Sequence, residues 1–433
     1  MNATRFGFAC HQFAYRGIFS GPIAPSVPES EDCLSLNIYV PKRRRGERKK
    51  LPVFIWSYGG GFGMGSGSAP LYNPTDFVAE NKDIIMVSWN YRTTIFGFPN
   101  SPALTAQNLG VRDQRLALEW LRDNIASFGG DPKRMVLGGQ SAGAISAHAM
   151  TYAYPQDPIV SALILQSGTV EQLGTKREGQ DFEFVRVAQA VGCASQDRKQ
   201  ELECMRMVDA DKLQHAISNK TLNEIGSPHG GMPMADDVVM FTPEDARRRS
   251  EAGKFARLPT LIGTMLNEAD STIPEWDPVK GVDRELSDTL TMQVFECNVA
   301  LEAGFRAQHK VPVWRYSYRG VFPEVTPYPW ARAYHAAETG VLFGTYDLVK
   351  TNPAANTNST TKEASKFLQH MFGTFVRDPI HGLADKYRMP LFRPNTSSLI
   401  ELFNENKPTF SLGMEQNLAT CWYMTKTTSE KTT

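Results

Sequence analysis

Met135-Val136-Leu137-Gly138-Gly139-Gln140-Ser141-Ala142-Gly143-Ala144-Ile145-Ser146-Ala147-His148-Ala149-Met150 joins a short apolar strand to a run of small residues with helical character. The join is Gly139-Gln140-Ser141-Ala142-Gly143. A Gly-x-Ser-x-Gly turn between a strand and a helix is a nucleophile elbow, which holds its serine in a strained conformation with the hydroxyl raised above a sheet. Glycine at the flanking positions lets neighbouring backbone pass where a Cβ would collide. Ser141 is therefore the candidate nucleophile. The helix that follows aims backbone N–H groups and a positive dipole end at the place where an anion would develop during acyl transfer. In a chain with 34 glycines the bare pattern arises by chance, so the strand before it and the helix after it carry the reading.

Outward from the elbow, strand and helix alternate. Leu34 to Pro41, Leu51 to Trp56 and Asp83 to Trp89 read as strands, and Gln114 to Ile125 has helical spacing of Leu116, Leu118, Trp120 and Leu121. Ala162 to Gln166, Leu258 to Gly263 and Val311 to Tyr318 are further strand candidates. This rhythm predicts an α/β fold with a mostly parallel central sheet and helices on both faces. We expect one domain over residues 1–433 with insertions, ending in a polar tail from about 425 to 433. The basic run from Lys42 to Lys50 joins two strands and reads as a solvated loop tip.

Composition narrows the function classes. Lys+Arg and Asp+Glu both number 46, so the formal net charge is zero, which argues against nucleic acid or an anionic membrane as the main partner. A hydrophobic share of 41% supplies a large core, and 21% charge is too low for a disordered chain. No window is long and apolar enough to span a membrane, and the first ten residues lack the apolar stretch of an export signal. Six cysteines with no Cys-x-x-Cys pair make a metal centre unexpected. Cys10 and Cys33 bracket one loop and Cys193 and Cys204 another, a spacing that suits either two local bridges or four buried thiols. Sequons at Asn2, Asn219, Asn358 and Asn395 lean towards a secreted lineage.

Gly59-Gly60-Gly61-Phe62-Gly63-Met64-Gly65-Ser66-Gly67 follows the strand ending at Trp56. The glycine spacing fits neither a Gly-x-Gly-x-x-Gly dinucleotide loop nor a phosphate loop ending in Gly-Lys-Ser/Thr, so no nucleotide cofactor is implied. Upstream of an elbow, such a loop exposes backbone N–H groups, and Gly60, Gly61 and the N–H of Ala142 are the candidate oxyanion donors.

A serine hydroxyl needs a histidine to take its proton and a carboxylate to hold that histidine's tautomer. In this kind of fold the chain order is serine, acid, histidine. Glu268 and Asp270, in the loop after the strand Leu258 to Gly263, are both candidates for the acid. Of the histidines downstream, His370 lies in an amphipathic helix, where packing is the ordinary role, and His309 precedes a strand. His335 follows a strand in a loop, as a base must, and is preferred to His309, His370 and His381 together.

These residues resemble the type-B carboxylesterases, the group of cholinesterases and fungal lipases, and most resemble its fungal members. The likeness runs from about Ala3 to Phe375. It rests on Glu31 to Ile38, Tyr58 to Phe62, Asn108 to Gln114, Asn124-Ile125 and Phe128 to Pro132. It implies the α/β-hydrolase fold, Ser141 as nucleophile, Glu268 rather than Asp270 as acid, and His335 as base. It further implies Ser167 and Glu338 as buried polar supports and the bridges Cys10–Cys33 and Cys193–Cys204, with Cys297 and Cys421 unassigned. Three departures stand out. The family's N-terminal edge strands and export signal are expected to be missing, the Glu268 to His335 stretch is shorter than usual, and Gln140 replaces an acid often found before the nucleophile. The loop between Cys10 and Cys33 also has no Trp, so the choline platform is absent there.

The implied activity is hydrolysis of small neutral carboxylic esters through an acyl-enzyme, with no cofactor. An acyltransferase or lactone-handling enzyme on the same triad is the alternative, differing only in what accepts the acyl group. A non-catalytic adhesion role would not keep Ser141, Glu268 and His335. A lipase would carry a longer lid than the flap containing Phe13, Tyr15, Ile18, Phe19 and Ile23. Oligomeric state is not legible.

Overall fold

Leu51–Ser57 is buried at all seven positions, the pattern of a strand packed on both faces, and the sheet builds out from it. In the computed structural model, which describes residues 3–13, 23–42, 49–173, 183–218, 231–326, 328–349, 359–415 and 421, the strands are β1 (Leu36–Tyr39), β2 (Leu51–Ser57), β3 (Ile85–Trp89), β4 (Gly130–Gln140), β5 (Ala162–Gln166), β6 (Thr260–Met265), β7 (Val313–Tyr318), β8 (Leu399–Leu402) and β9 (Phe410–Gly413). They form one nine-stranded sheet in the order β1-β3-β2-β4-β5-β6-β7-β8-β9. All pairings are parallel except the two edges, β1 with β3 and β8 with β9. After β2 the chain places β3 on one side and β4 on the other, so strand order reverses there. In an open α/β sheet the crevice at that reversal, beyond the carboxyl ends of the strands, is where ligands bind.

The anticipated mostly parallel α/β-hydrolase sheet is the one observed. Ala162–Gln166 has the expected bounds and the strand expected at Leu51 starts there, while those expected at Leu34, Asp83, Leu258 and Val311 start two residues later. β8 and β9 were not anticipated: each is four residues long, too short to show a period. The helix Leu109–Asn124 forms earlier than expected and leaves Leu116 and Trp120 exposed, while Leu118 and Leu121 are buried. The helix Ser359–Arg377 buries Leu368, Met371, Phe372 and Phe375 against the sheet, with Phe375 and Phe372 meeting Trp314 and Tyr316.

Disulfides Cys10–Cys33 and Cys193–Cys204 are present, and Cys297 pairs with Cys421, 124 positions away. No described helix is long and apolar enough to cross a membrane. Asn395 is exposed. The other sequon asparagines, most of the basic run, Tyr15, Ile18, Phe19 and the 425–433 tail lie outside the described residues.

Candidate active site

Ser141 sits between β4 and the helix Ala142–Ala153 with φ 54° and ψ −124°, a conformation that a side-chain-bearing residue holds only when its surroundings enforce it. Two glycines permit it. A Cβ on Gly143 would lie 2.1 Å from the carbonyl oxygen of Ser57, and one on Gly139 would lie 2.4 Å from the backbone of Gly143. The Ser141 N–H donates to Gln166 O at 2.8 Å, which fastens the elbow to β5. A buried relay holds the helix start: Ser57 Oγ donates to Gln114 Oε1, Gln114 Nε2 to Ser146 Oγ, and Ser146 Oγ to the carbonyl of Ala142.

The loop after β2 brings Gly60 and Gly61 beside Ser141 and Ala142 in one cavity of about 590 Å³. Gly60 has φ 115°, and a Cβ there would lie 2.4 Å from Met64 O, so only glycine fits. No Asp, Glu, Lys or Arg is among the described residues lining this cavity; its walls include Phe13, Leu71, Tyr72, Ile273, Trp276 and Phe295. The Cys10–Cys33 loop has no Trp, but the fold delivers Trp276 to the cavity from beyond β6, in contact with Tyr328 and Trp330.

Glu268 and Asp270 leave the end of β6 in one short 3₁₀ turn and diverge. Glu268 Oε2 lies 2.6 Å from His335 Nδ1, and its Oε1 accepts from the N–H of Met265 at 2.8 Å. The backbone N–H of His335 donates to the backbone carbonyl of Glu268. Asp270 instead accepts from Ser287, Arg284 and Arg332. Burial would raise its carboxyl, but the hydrogen bonds from Arg332 and Ser287 outweigh that and hold it below the usual carboxylate range. His335 lines the cavity together with Ser141, and its Nε2 lies 3.0 Å from Gln140 Nε2. The remaining downstream histidines are elsewhere: His370 is half exposed and paired with Glu80, His309 meets the carbonyl of Glu251, and His381 precedes the short helix Gly382–Tyr387.

Glu338 is fully buried and accepts from Gln166 Nε2 at 2.8 Å. Burial, and then the nearby charge of Glu268, push its carboxyl up to about 8. Burial thus favours the neutral form of Glu338 at neutral pH. Ser167, with φ 54°, lines the cavity, and its buried hydroxyl makes no hydrogen bond to any described residue. Sequence reasoning missed the contact of Gln140 with His335, the Gln166–Glu338 bond and the arrival of Phe295 and Trp276. Each joins residues far apart in the chain, and no local pattern announces them. Among the described residues no group of three or more His, Cys, Asp or Glu is arranged to hold a metal ion.

The arrangement offers a strained serine, a histidine tied to a carboxylate, and the glycines of the loop after β2 around one cavity with no charged wall among its described residues. The carboxylesterase family model matches residues 1–281. Secreted lipase 5 of Gibberella zeae is 33% identical, over 94% of this chain and 81% of that protein. Chlorogenic acid esterase of Aspergillus niger is 37% identical over 82% of this chain and 67% of its own length. Para-nitrobenzyl esterase of Bacillus subtilis is 27% identical over 87% and 80%.

Proposed function

Because the chain belongs to the carboxylesterase family, and is thus a carboxylic ester hydrolase, we propose that it cleaves neutral esters through an acyl-enzyme on Ser141, with His335 as base and Glu268 as the carboxylate that orients it. The observation that carries this reading is the 2.6 Å contact of Glu268 Oε2 with His335 Nδ1, on a ring that shares the cavity with Ser141. In the first half-reaction the Ser141 proton passes to His335 Nε2 while Oγ bonds to the ester carbonyl carbon. The carbonyl oxygen becomes an oxyanion facing the N–H groups of Gly60, Gly61 and Ala142, each worth about 10²–10³ in rate when such a donor is lost elsewhere. Collapse breaks the carbon–oxygen bond to the alcohol, which leaves with the proton from His335. Water then repeats the sequence in place of the serine and frees the acid. Ser167 lines the cavity, and Glu338 supports the site through Gln166, as a neutral acid that adds no second charge beside Glu268.

A cavity of about 590 Å³ without a charged wall among its described residues favours uncharged, small to medium esters. We infer one catalytic domain across the chain. Three disulfides and the likeness to a protein named a secreted lipase support an extracellular destination.

The test is labelling with a fluorophosphonate and peptide mapping, alongside p-nitrophenyl acetate turnover by Ser141→Ala. The label should sit on Ser141 and the folded variant should be inactive. Label on another residue, or wild-type turnover by the variant, overturns the reading.

A further inference from the structure

Between the acid and the base the chain makes one π-helical stretch, Thr291–Glu296, set between the helices Arg284–Leu290 and Cys297–Gln308. It is the only π stretch among the described residues. A π turn holds one residue more than the α-helix would, so it swings the side chains within it to directions an α-helix does not offer, and such turns recur at functional sites.

This one is pinned at both ends. At its start, Thr291 Oγ1 accepts from the N–H of Ala269, the residue after Glu268. At its end, the Glu296 carboxylate takes Thr264 Oγ1 and Arg315 Nη2, both at 2.5 Å, and Cys297 is bonded to Cys421. Asn298 Nδ2 caps the carbonyl of Val294 at 2.8 Å. Between the pins Val294 and Phe295 face the cavity, and the Phe295 ring lies 5.0 Å from the His335 imidazole, tilted by 49°, within the range of favourable aromatic pairs. Glu268 and Gln140 hold the two nitrogens of His335 at the edge of the ring. Both contacts lie at the edge of the ring, and Phe295 adds an aromatic neighbour packed against the same ring.

Resting on the triad reading above, we propose that Phe295 is a positioning residue for His335, delivered by the π turn, and that the same ring bounds the substrate cavity on that side. The phenyl ring stops the imidazole from tilting away from Ser141 Oγ, and its bulk limits the group of the ester lodged beside the base.

The experiment compares Phe295→Ala, Phe295→Leu and deletion of the exposed Gln293, which shortens the π turn to α length, on p-nitrophenyl acetate and p-nitrophenyl pivalate, with thermal melting as the folding control. Misplacement of a reacting group by about 1 Å can cost about 10² in rate, so kcat of Phe295→Ala on acetate should fall about 10- to 100-fold. KM should change less than about threefold, as expected for an interaction that acts on the chemical step. Phe295→Leu should recover most of kcat, and the pivalate-to-acetate ratio of kcat/KM should rise in Phe295→Ala. The Gln293 deletion should behave like Phe295→Ala although the phenylalanine is retained. Wild-type kcat in Phe295→Ala overturns the proposal, as does a loss in step with Tm that leucine does not restore. Failure of the triad reading is separate: it would show as turnover by Ser141→Ala, whatever the Phe295 variants do.

Discussion

The Nε2 of His335 lies 3.0 Å from the side-chain nitrogen of Gln140, the residue immediately before Ser141. An amide NH₂ can only donate, so in this arrangement Nε2 is the acceptor and Nδ1 carries the proton facing Glu268, which is the tautomer a base needs. Once Nε2 takes the Ser141 proton, the amide faces a donor and must turn or withdraw.

Gln140→Glu should therefore favour the protonated imidazole. The groups around the ring in that variant are Glu268, the introduced carboxylate and Phe295, with Glu338 near Glu268 and favoured in its neutral form. A like-signed pair of carboxylates around one imidazole stabilises its cation, so the acidic limb of kcat/KM should move to higher pH. Gln140→Met should leave that limb close to the wild-type position. The pH profiles of the two variants with p-nitrophenyl acetate check this, and an unmoved limb in Gln140→Glu refutes it.

Glu268 and Asp270 are two residues apart and have different work. Glu268→Gln should lower kcat by about 10³–10⁴ with little change in folding, by analogy with the orienting carboxylate of other serine hydrolases. Asp270→Asn should instead lower Tm, because it weakens the ties to Ser287, Arg284 and Arg332, and should spare most of kcat. The reverse ranking of kcat would exchange their roles.

Glu338 ties stability to pH. Its folded carboxyl titrates near about 8, against 4.5 for an ordinary glutamate, so between those values the folded chain holds a proton that the unfolded chain has released. The contribution is fully present below the unfolded value and is lost as pH rises through the folded one. Wild-type Tm should therefore decline from about pH 5 to about pH 8 more steeply than that of Glu338→Gln. Equal slopes in the two proteins would remove Glu338 as the cause.

The uncharged cavity wall bears on substrate choice. Trp276 can offer a cation–π contact worth about 0.5–2 kcal/mol, but no described carboxylate lines the space. A choline ester should show no advantage over its uncharged isostere that fades with added salt, since only long-range charge is screened in that way. kcat/KM for both esters at low and high salt decides the matter, and a salt-sensitive choline preference would reveal an acidic site.

The chain by itself determined what is decided within about twenty residues. A strand, a glycine-flanked serine and a helix can pack in few ways, so the elbow at Ser141, the glycine loop at Gly60 and Gly61 and the parallel sheet were readable from period and turn chemistry. Chain order and loop position picked out His335. The residues alone left Glu268 and Asp270 equal, and likeness to a family chose between them; geometry sends one to His335 and the other to Arg332 because a 3₁₀ turn points neighbours two apart in different directions. The tertiary structure alone decided the rest. Gln140 meets His335 across 195 positions, Cys297 meets Cys421 across 124, and β8 exists because β7 offers it an edge. Phe295 reaches His335 because anchors on β6, on β7 and at Ala269 hold a π turn that no local preference would select. Local periodicity carries no record of such contacts, since each depends on where another element has already packed.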